Sequence, residues 1–188
     1  SSLSGNISGT GRLLLGSSTQ KGGWTLSGAN TVALLLTCVS VSTGADSVVN
    51  ATGAIVSSPL GLSTSAISLN NGMVLDLKGH SLANSFSLFT GSKLINTQGA
   101  ANLKGNLTTW STNIPIEVAD NSSLTLSGGL ADSGQSGLAL LKTGNGTLTV
   151  GNISVSGQYQ KIGGNQFNVS AGNVVLNSTV LGFAATTV

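Results

Sequence analysis

The sequence predicts an all-β chain, and among all-β architectures it favours a solenoid. Three observations carry this. Fixed charge is nearly absent, with 7 Lys and Arg and 5 Asp and Glu, 6% of 188 residues, against about 25% in an ordinary domain. Gly occurs 27 times, roughly twice its usual share, and gathers with Asn and Ser at turns. The chain also resembles itself at a distance. Short strands and frequent turns alone fit a sandwich or a barrel too. Low charge, small-residue turns and internal similarity are what favour the solenoid.

Strands are marked by apolar residues alternating with small polar ones, the period of an extended chain. Such stretches are Ala66–Leu69, Val74–Leu77, Ile114–Val118, Ser123–Leu126, Gly146–Val150, Ile153–Val155, Phe167–Val169 and Asn173–Leu176. Between them lie turn signals: Asn70-Asn71-Gly72, Lys78-Gly79-His80, Asp120-Asn121-Ser122, Gly144-Asn145-Gly146 and Ala171-Gly172-Asn173. These residues accept positive φ or bond their own backbone. No stretch carries an apolar stripe at helical spacing, so no α-helix is expected. The apolar run Val32 to Val39 falls far short of the ~20 residues a membrane-spanning helix needs. Cys38 within it is the single cysteine and reads as a small buried hydrophobe.

The pattern Leu-x-Gly-x-aliphatic occurs three times, at Leu3–Ile7, Leu103–Leu107 and Leu126–Leu130. Gly-x-x-Leu-Leu follows the first and third copies, at Gly11 and Gly137, a separation of 126 residues. That is too long for one coil and reads as a repeat of several coils.

The phrases Ile7–Gly11, Trp24–Thr31 and Leu141–Val150, with the companion stretch Ser65–Leu82, resemble the autotransporter-associated β-strand repeats. The similarity covers about residues 3–31 and 60–150. It implies a single-domain, right-handed parallel β-helix from the secreted passenger of a Gram-negative autotransporter. Such passengers are exported through a C-terminal outer-membrane barrel and often serve as adhesins or self-association factors. The chain departs from the pattern after Thr31 and again over residues 155–188, which form a divergent end region. With no signal peptide and no initiator Met at Ser1, residues 1–188 are expected to be a segment of a longer passenger-type protein. At about 20 residues per coil, nine coils and a rod of ~45 Å are expected.

Little in the chain points to chemistry. The acids Asp46, Asp76, Glu117, Asp120 and Asp132 are scattered, whereas β-helix enzymes acting on polysaccharides need clustered carboxylates. Glu117 and Asp120, the close pair, read as a solvated edge and a turn. Asp76 and Asp120 could align two coils apart. Ser81, His80 and Asp76 can be written as a triad, but neighbours on a strand point to opposite faces, and His80 reads as a turn element. Seven dispersed basic residues give no footprint for nucleic acid. No catalytic, cofactor or metal residue is expected, and no enzymatic activity. Of the aromatics Trp24, Trp110, Tyr159, Phe86, Phe89, Phe167 and Phe183, Trp110 lies in the most polar context and is the candidate contact residue; Trp24 reads as a core or cap residue. The expected partners are a host-cell surface or glycan, or further copies of the chain, through multivalent weak contacts. A self-assembling subunit of a phage or extracellular filament is the alternative, and a glycan-active β-helix enzyme the second alternative.

Overall fold

The computed structural model describes residues 1–10, 12–15, 23–36, 40–49, 51, 55–62, 66–70, 72–111, 114–133, 139–154 and 166–177. Cys38, Tyr159, Phe183, the glycines at 11 and 137, and residues 155–165 and 178–188 lie outside them. Every described element is a strand of two to five residues, with no helix among the described residues. The chain opens with β1 (Ser2–Leu3), β2 (Arg12–Leu15), β3 (Gly23–Leu26), β4 (Ala33–Leu36) and β5 (Ser40–Thr43). A short antiparallel ribbon of β6 (Val48–Val49) and β7 (Ile55–Ser57) follows.

From there the strands come in threes. The first turn is β8 (Ile67–Leu69), β9 (Val74–Asp76) and β10 (Ser81–Leu82). The second is β11 (Phe86–Leu88), β12 (Lys93–Asn96) and β13 (Ala100–Leu103). The third is β14 (Leu107–Thr109), β15 (Ile114–Val118) and β16 (Ser123–Leu126). The fourth is β17 (Leu130–Asp132), β18 (Ala139–Thr143) and β19 (Thr147–Val150). The fifth is β20 (Ile153–Ser154), β21 (Gln166–Val169) and β22 (Asn173–Leu176).

Each turn sends one strand to each of three parallel sheets, so the molecule is a parallel β-helix. The first sheet runs β1-β3-β5-β9-β12-β15-β18-β21, the second β10-β13-β16-β19-β22, the third β20-β17-β14-β11-β8. Among the described residues five complete three-strand turns run from Ile67 to Leu176, and β5, β3 and β1 carry the first sheet to eight levels, against the nine coils expected. Eight strands at the usual spacing give a first sheet about 34 Å tall. The coils also lengthen along the chain. Aligned residues in the third sheet, Ile67, Phe86, Leu107, Leu130 and Ile153, step by 19, 21, 23 and 23 residues. In the first sheet the last step, Lys142 to Val169, is 27. The strands keep their length while the corners grow, which the ladder tolerates because only the strands must register.

Alternation decides what fills the interior. Trp24, Val41, Leu75, Leu94, Ile116, Lys142 and Val169 form one inward row. Leu82, Leu103, Leu126, Val150 and Leu176 form another. Most of these side chains are fully buried, each Leu contributing roughly 2 kcal/mol. Trp24 packs half-buried on the near end of its row. Outward positions carry Asn102, Thr125 and Thr149 in one row, Ser123, Thr147 and Asn173 in the next, and Ser68, Ser87 and Thr108 on the third sheet.

The Leu-x-Gly pattern proves to be a corner device. Leu26 pairs with Leu3 and Leu126 with Leu103, each pair on adjacent coils. A Cβ on Gly28 would overlap the Gly5 carbonyl, and one on Gly105 the Asn84 carbonyl. The Leu-Leu copies, by contrast, do not correspond structurally. Leu13–Leu15 lie in β2, which pairs with β4 in a separate two-stranded sheet, whereas Leu140–Leu141 lie in β18 of the first sheet.

The step from Val41 to Leu75 is 34 residues, because the β6–β7 ribbon is inserted there. A buried polar cluster ties that insertion to the helix. Ser58 Oγ donates to Asn84 Oδ1 at 2.6 Å and Asn84 Nδ2 to the Gly61 carbonyl at 3.0 Å. Asn30 Nδ2 donates to the Pro59 carbonyl at 2.8 Å, while Asn30 Oδ1 accepts from the Ile7 amide at 2.9 Å. Buried amides and hydroxyls of this kind are tolerated because their bonds are made inside the protein.

Candidate functional site

Trp110 follows β14 at the corner leading to the first sheet. It is 43% exposed, and its indole stacks on Phe89 with ring centroids 5.5 Å apart and planes within 16°. The backbone sets this pairing. The Phe89 amide donates to the Leu69 carbonyl at 3.0 Å, Trp110 to Leu88 at 2.8 Å, and Ser133 to Thr109 at 2.9 Å. Asn70, Phe89, Trp110 and Ser133 therefore occupy successive levels of one row, with the two aromatics in its middle. Beside it Thr90 Oγ1 donates to Ser111 Oγ at 3.1 Å. The result is a small aromatic shelf with a hydroxyl rim. Both rings stand one residue beyond strands that the register sets 21 residues apart.

The charged residues are otherwise occupied. Asp76 is buried at the end of β9, where Oδ1 accepts from the Lys78 and Thr97 amides at 3.1 and 3.2 Å and Oδ2 from Thr97 Oγ1 at 2.8 Å. It aligns through Ile95 with Glu117; the alignment with Asp120 that coils of about 20 residues would allow does not occur. Residues 119 to 122 form a turn at the end of β15 that carries Asp120 off the strand ladder. Glu117 pairs with Lys93 at 2.8 Å on the outside of the first sheet, both side chains more than one third exposed; Glu117→Gln is expected to change stability by less than about 0.5 kcal/mol in thermal denaturation. His80 closes the turn after β9, its amide donating to the Leu77 carbonyl at 2.9 Å. Its Nδ1 lies 3.2 Å from Asp46 Oδ1, which also accepts from the Ser81 amide at 2.7 Å. The triad of Ser81, His80 and Asp76 does not form: His80 faces Asp46, and Asp76 is spent on Lys78 and Thr97. Among the described residues no three His, Cys, Asp or Glu are grouped as metal ligands, and no helix is long and apolar enough to cross a membrane.

One buried charge escaped the sequence reading, although alternation in β18 places Lys142 inward beside Leu140. Lys142 is fully buried, and its Nζ donates to the carbonyls of Thr143, Gly144 and Ala171 at 2.8, 2.6 and 3.1 Å. Burial holds its ammonium below the ordinary lysine value. A lowered lysine is often a nucleophile, but here all three protons are committed and no surface is open to a substrate. It ties the corner after β18 to the coil above. Between the lowered value and the ordinary one, the unfolded chain binds a proton that the folded chain has released. Stability therefore rises with pH through that window. Urea midpoints should climb as pH rises towards about 10, and Lys142→Met should flatten that slope.

The fold defines the class, a parallel β-helix built on three ladders. No family model, curated protein or solved structure matches the chain.

Proposed function

We propose that this chain is a segment of a secreted, surface-displayed, non-enzymatic passenger of the autotransporter type from a Gram-negative bacterium. It acts as a stiff stalk and scaffold for adhesion or self-association. The observation that carries the reading is the eight-strand parallel ladder of the first sheet. Each interior strand is bonded on both sides, so opening one coil breaks the pairing above and below it in all three sheets, and a long rod resists local unfolding. Its outward rows of Ser, Thr and Asn suit many weak neutral contacts. The phrases over residues 3–31 and 60–150 support the passenger assignment, and export would then depend on a C-terminal outer-membrane barrel. The Trp110 shelf is the contact point such a stalk would hold away from the cell.

A self-assembling structural subunit of a phage or extracellular filament is the second reading. Val169, Val175 and Leu176, each 38–44% exposed on the last described coil, favour it. Exposed strand edges template further pairing.

Microspheres coated with the chain should adhere to cultured epithelial cells, or to one another, above albumin-coated controls. Microspheres that do neither overturn the passenger reading. Sedimentation velocity over a hundredfold range of concentration separates the two readings: an elongated monomer keeps the stalk, and growth into regular multiples moves the weight to the assembling subunit.

A further inference from the structure

We infer that the Trp110 shelf is a binding site for one pyranose ring of a neutral glycan, a reading that rests on the contact role proposed above and names its ligand. The argument begins with the levels of the row. Phe89 covers one face of the indole, yet Trp110 remains 43% exposed. At the next level the row continues with Ser133, a side chain far smaller than a ring. A level about 4.8 Å high thus holds serine beside an aromatic face, and a flat six-membered ring can extend the stack there.

The surrounding chemistry selects the ring. Asn70, Phe89, Trp110 and Ser133 are uncharged, as are Thr108, Thr109 and Ser111 on the tryptophan's own coil. Among the described residues the row offers no charged partner for a phosphate or a carboxylate, and no carboxylate beside the ring to hold a cation on it. What it offers is an electron-rich plane bordered by the Thr90–Ser111 hydroxyl pair. A pyranose has the complement: an apolar face of C–H bonds, whose positive edges suit the negative face of an indole, and a rim of hydroxyls that exchange bonds with Thr90 and Ser111. An aromatic side chain of a partner protein would match the plane but leave the hydroxyl rim unused. Phe89 is a positioning residue that holds the indole level with the coil, and Trp110 makes the contact.

The probes are cellohexaose, chitohexaose and mannohexaose, titrated into the chain by calorimetry, and into the Trp24→Phe variant with emission read from Trp110. At least one should bind with a Kd of about 1 mM or tighter and shift the Trp110 emission. Trp110→Ala should weaken that binding about tenfold or more, Phe89→Ala about threefold, and Trp110→Phe should retain most of it. No binding by any of the three, or binding unchanged in Trp110→Ala, overturns the inference. If Trp110→Ala abolishes microsphere adhesion while no sugar binds, the glycan assignment fails and the adhesive stalk stands, its shelf taking a protein side chain. If a sugar binds through Trp110 but coated microspheres neither adhere nor clump, the site stands and the adhesive role fails.

Discussion

Gly105→Val is expected to destabilise the protein by about 3 kcal/mol, lowering the melting temperature by roughly 6–12 °C for a chain of this size. The reason is not backbone conformation, since Gly105 is not among the positive-φ residues. It is space. A Cβ at this corner would overlap the carbonyl of Asn84 on the preceding coil, and the Ser85 amide lies close behind. Neither can retreat, because the Asn84 side chain is bonded to Ser58 and Gly61 and the Ser85 carbonyl accepts from the Ile67 amide at 2.8 Å. Gly128 repeats the arrangement one coil further, its Cβ position overlapping the Gly105 carbonyl, so an enlarged Gly105 strains two levels at once. Gly23 supplies the control: nothing lies within 4 Å of a Cβ built there, and Gly23→Ala should shift stability by less than about 0.5 kcal/mol. Thermal denaturation followed by circular dichroism separates the two. Equal small effects would mean that the corner spreads without cost and that the close approach of coils is not what selects glycine.

The same corner marks the boundary of what could be read without coordinates. The alternation in Ser123–Leu126 and Thr147–Val150 is legible because a strand buried on one face writes its period into four residues, and both stretches are strands. The Leu-x-Gly pattern is legible as a repeat, but its cause is a carbonyl 21 residues away, from Asn84 to Gly105. A fixed coil length is not legible for a related reason. Corners that grow from a 19-residue step to one of 27 erase any fixed period, so self-similarity survives in phrases and fails in arithmetic. The ribbon at Val48–Val49 and Ile55–Ser57 left no signal, because what anchors it are contacts from Ser58 to Asn84 and from Asn30 to Pro59, 26 and 29 residues apart. Trp110 could be singled out by its polar neighbours. That its ring rests on Phe89 depends on register, which a sequence records only once the coil length is known.

Asn96→Ala should be nearly as damaging, at about 3 kcal/mol, through the opposite mechanism. Asn96 takes an inward position at the end of β12, aligned with Val118 on the next coil, and is fully buried. Both polar atoms of its amide are bonded, across three levels. Oδ1 accepts from the Gly79 amide on the coil below at 2.8 Å. Nδ2 donates to the Gly99 carbonyl on its own coil at 3.0 Å and to the Ser123 carbonyl on the coil above at 2.9 Å. The corner at Lys78 and Gly79 has φ of 47° and 78°, a shape that leaves the Gly79 amide in need of a partner. Truncation strands the Gly79 donor, removes a bond from the Ser123 carbonyl and one of two from the Gly99 carbonyl, which keeps the Ser123 amide at 2.9 Å, and opens a small void. Asn96→Leu distinguishes the two losses. Leucine restores most of the volume but none of the bonds, so it should remain within about 1 kcal/mol of the alanine variant, because unmet backbone groups cost more than the void. A leucine variant as stable as the wild type would show that the staple is dispensable and that packing alone holds these coils together. Failure of both variants at the same urea midpoint would place the stability of the rod in hydrogen bonds made between coils, at the corners as much as in the ladders.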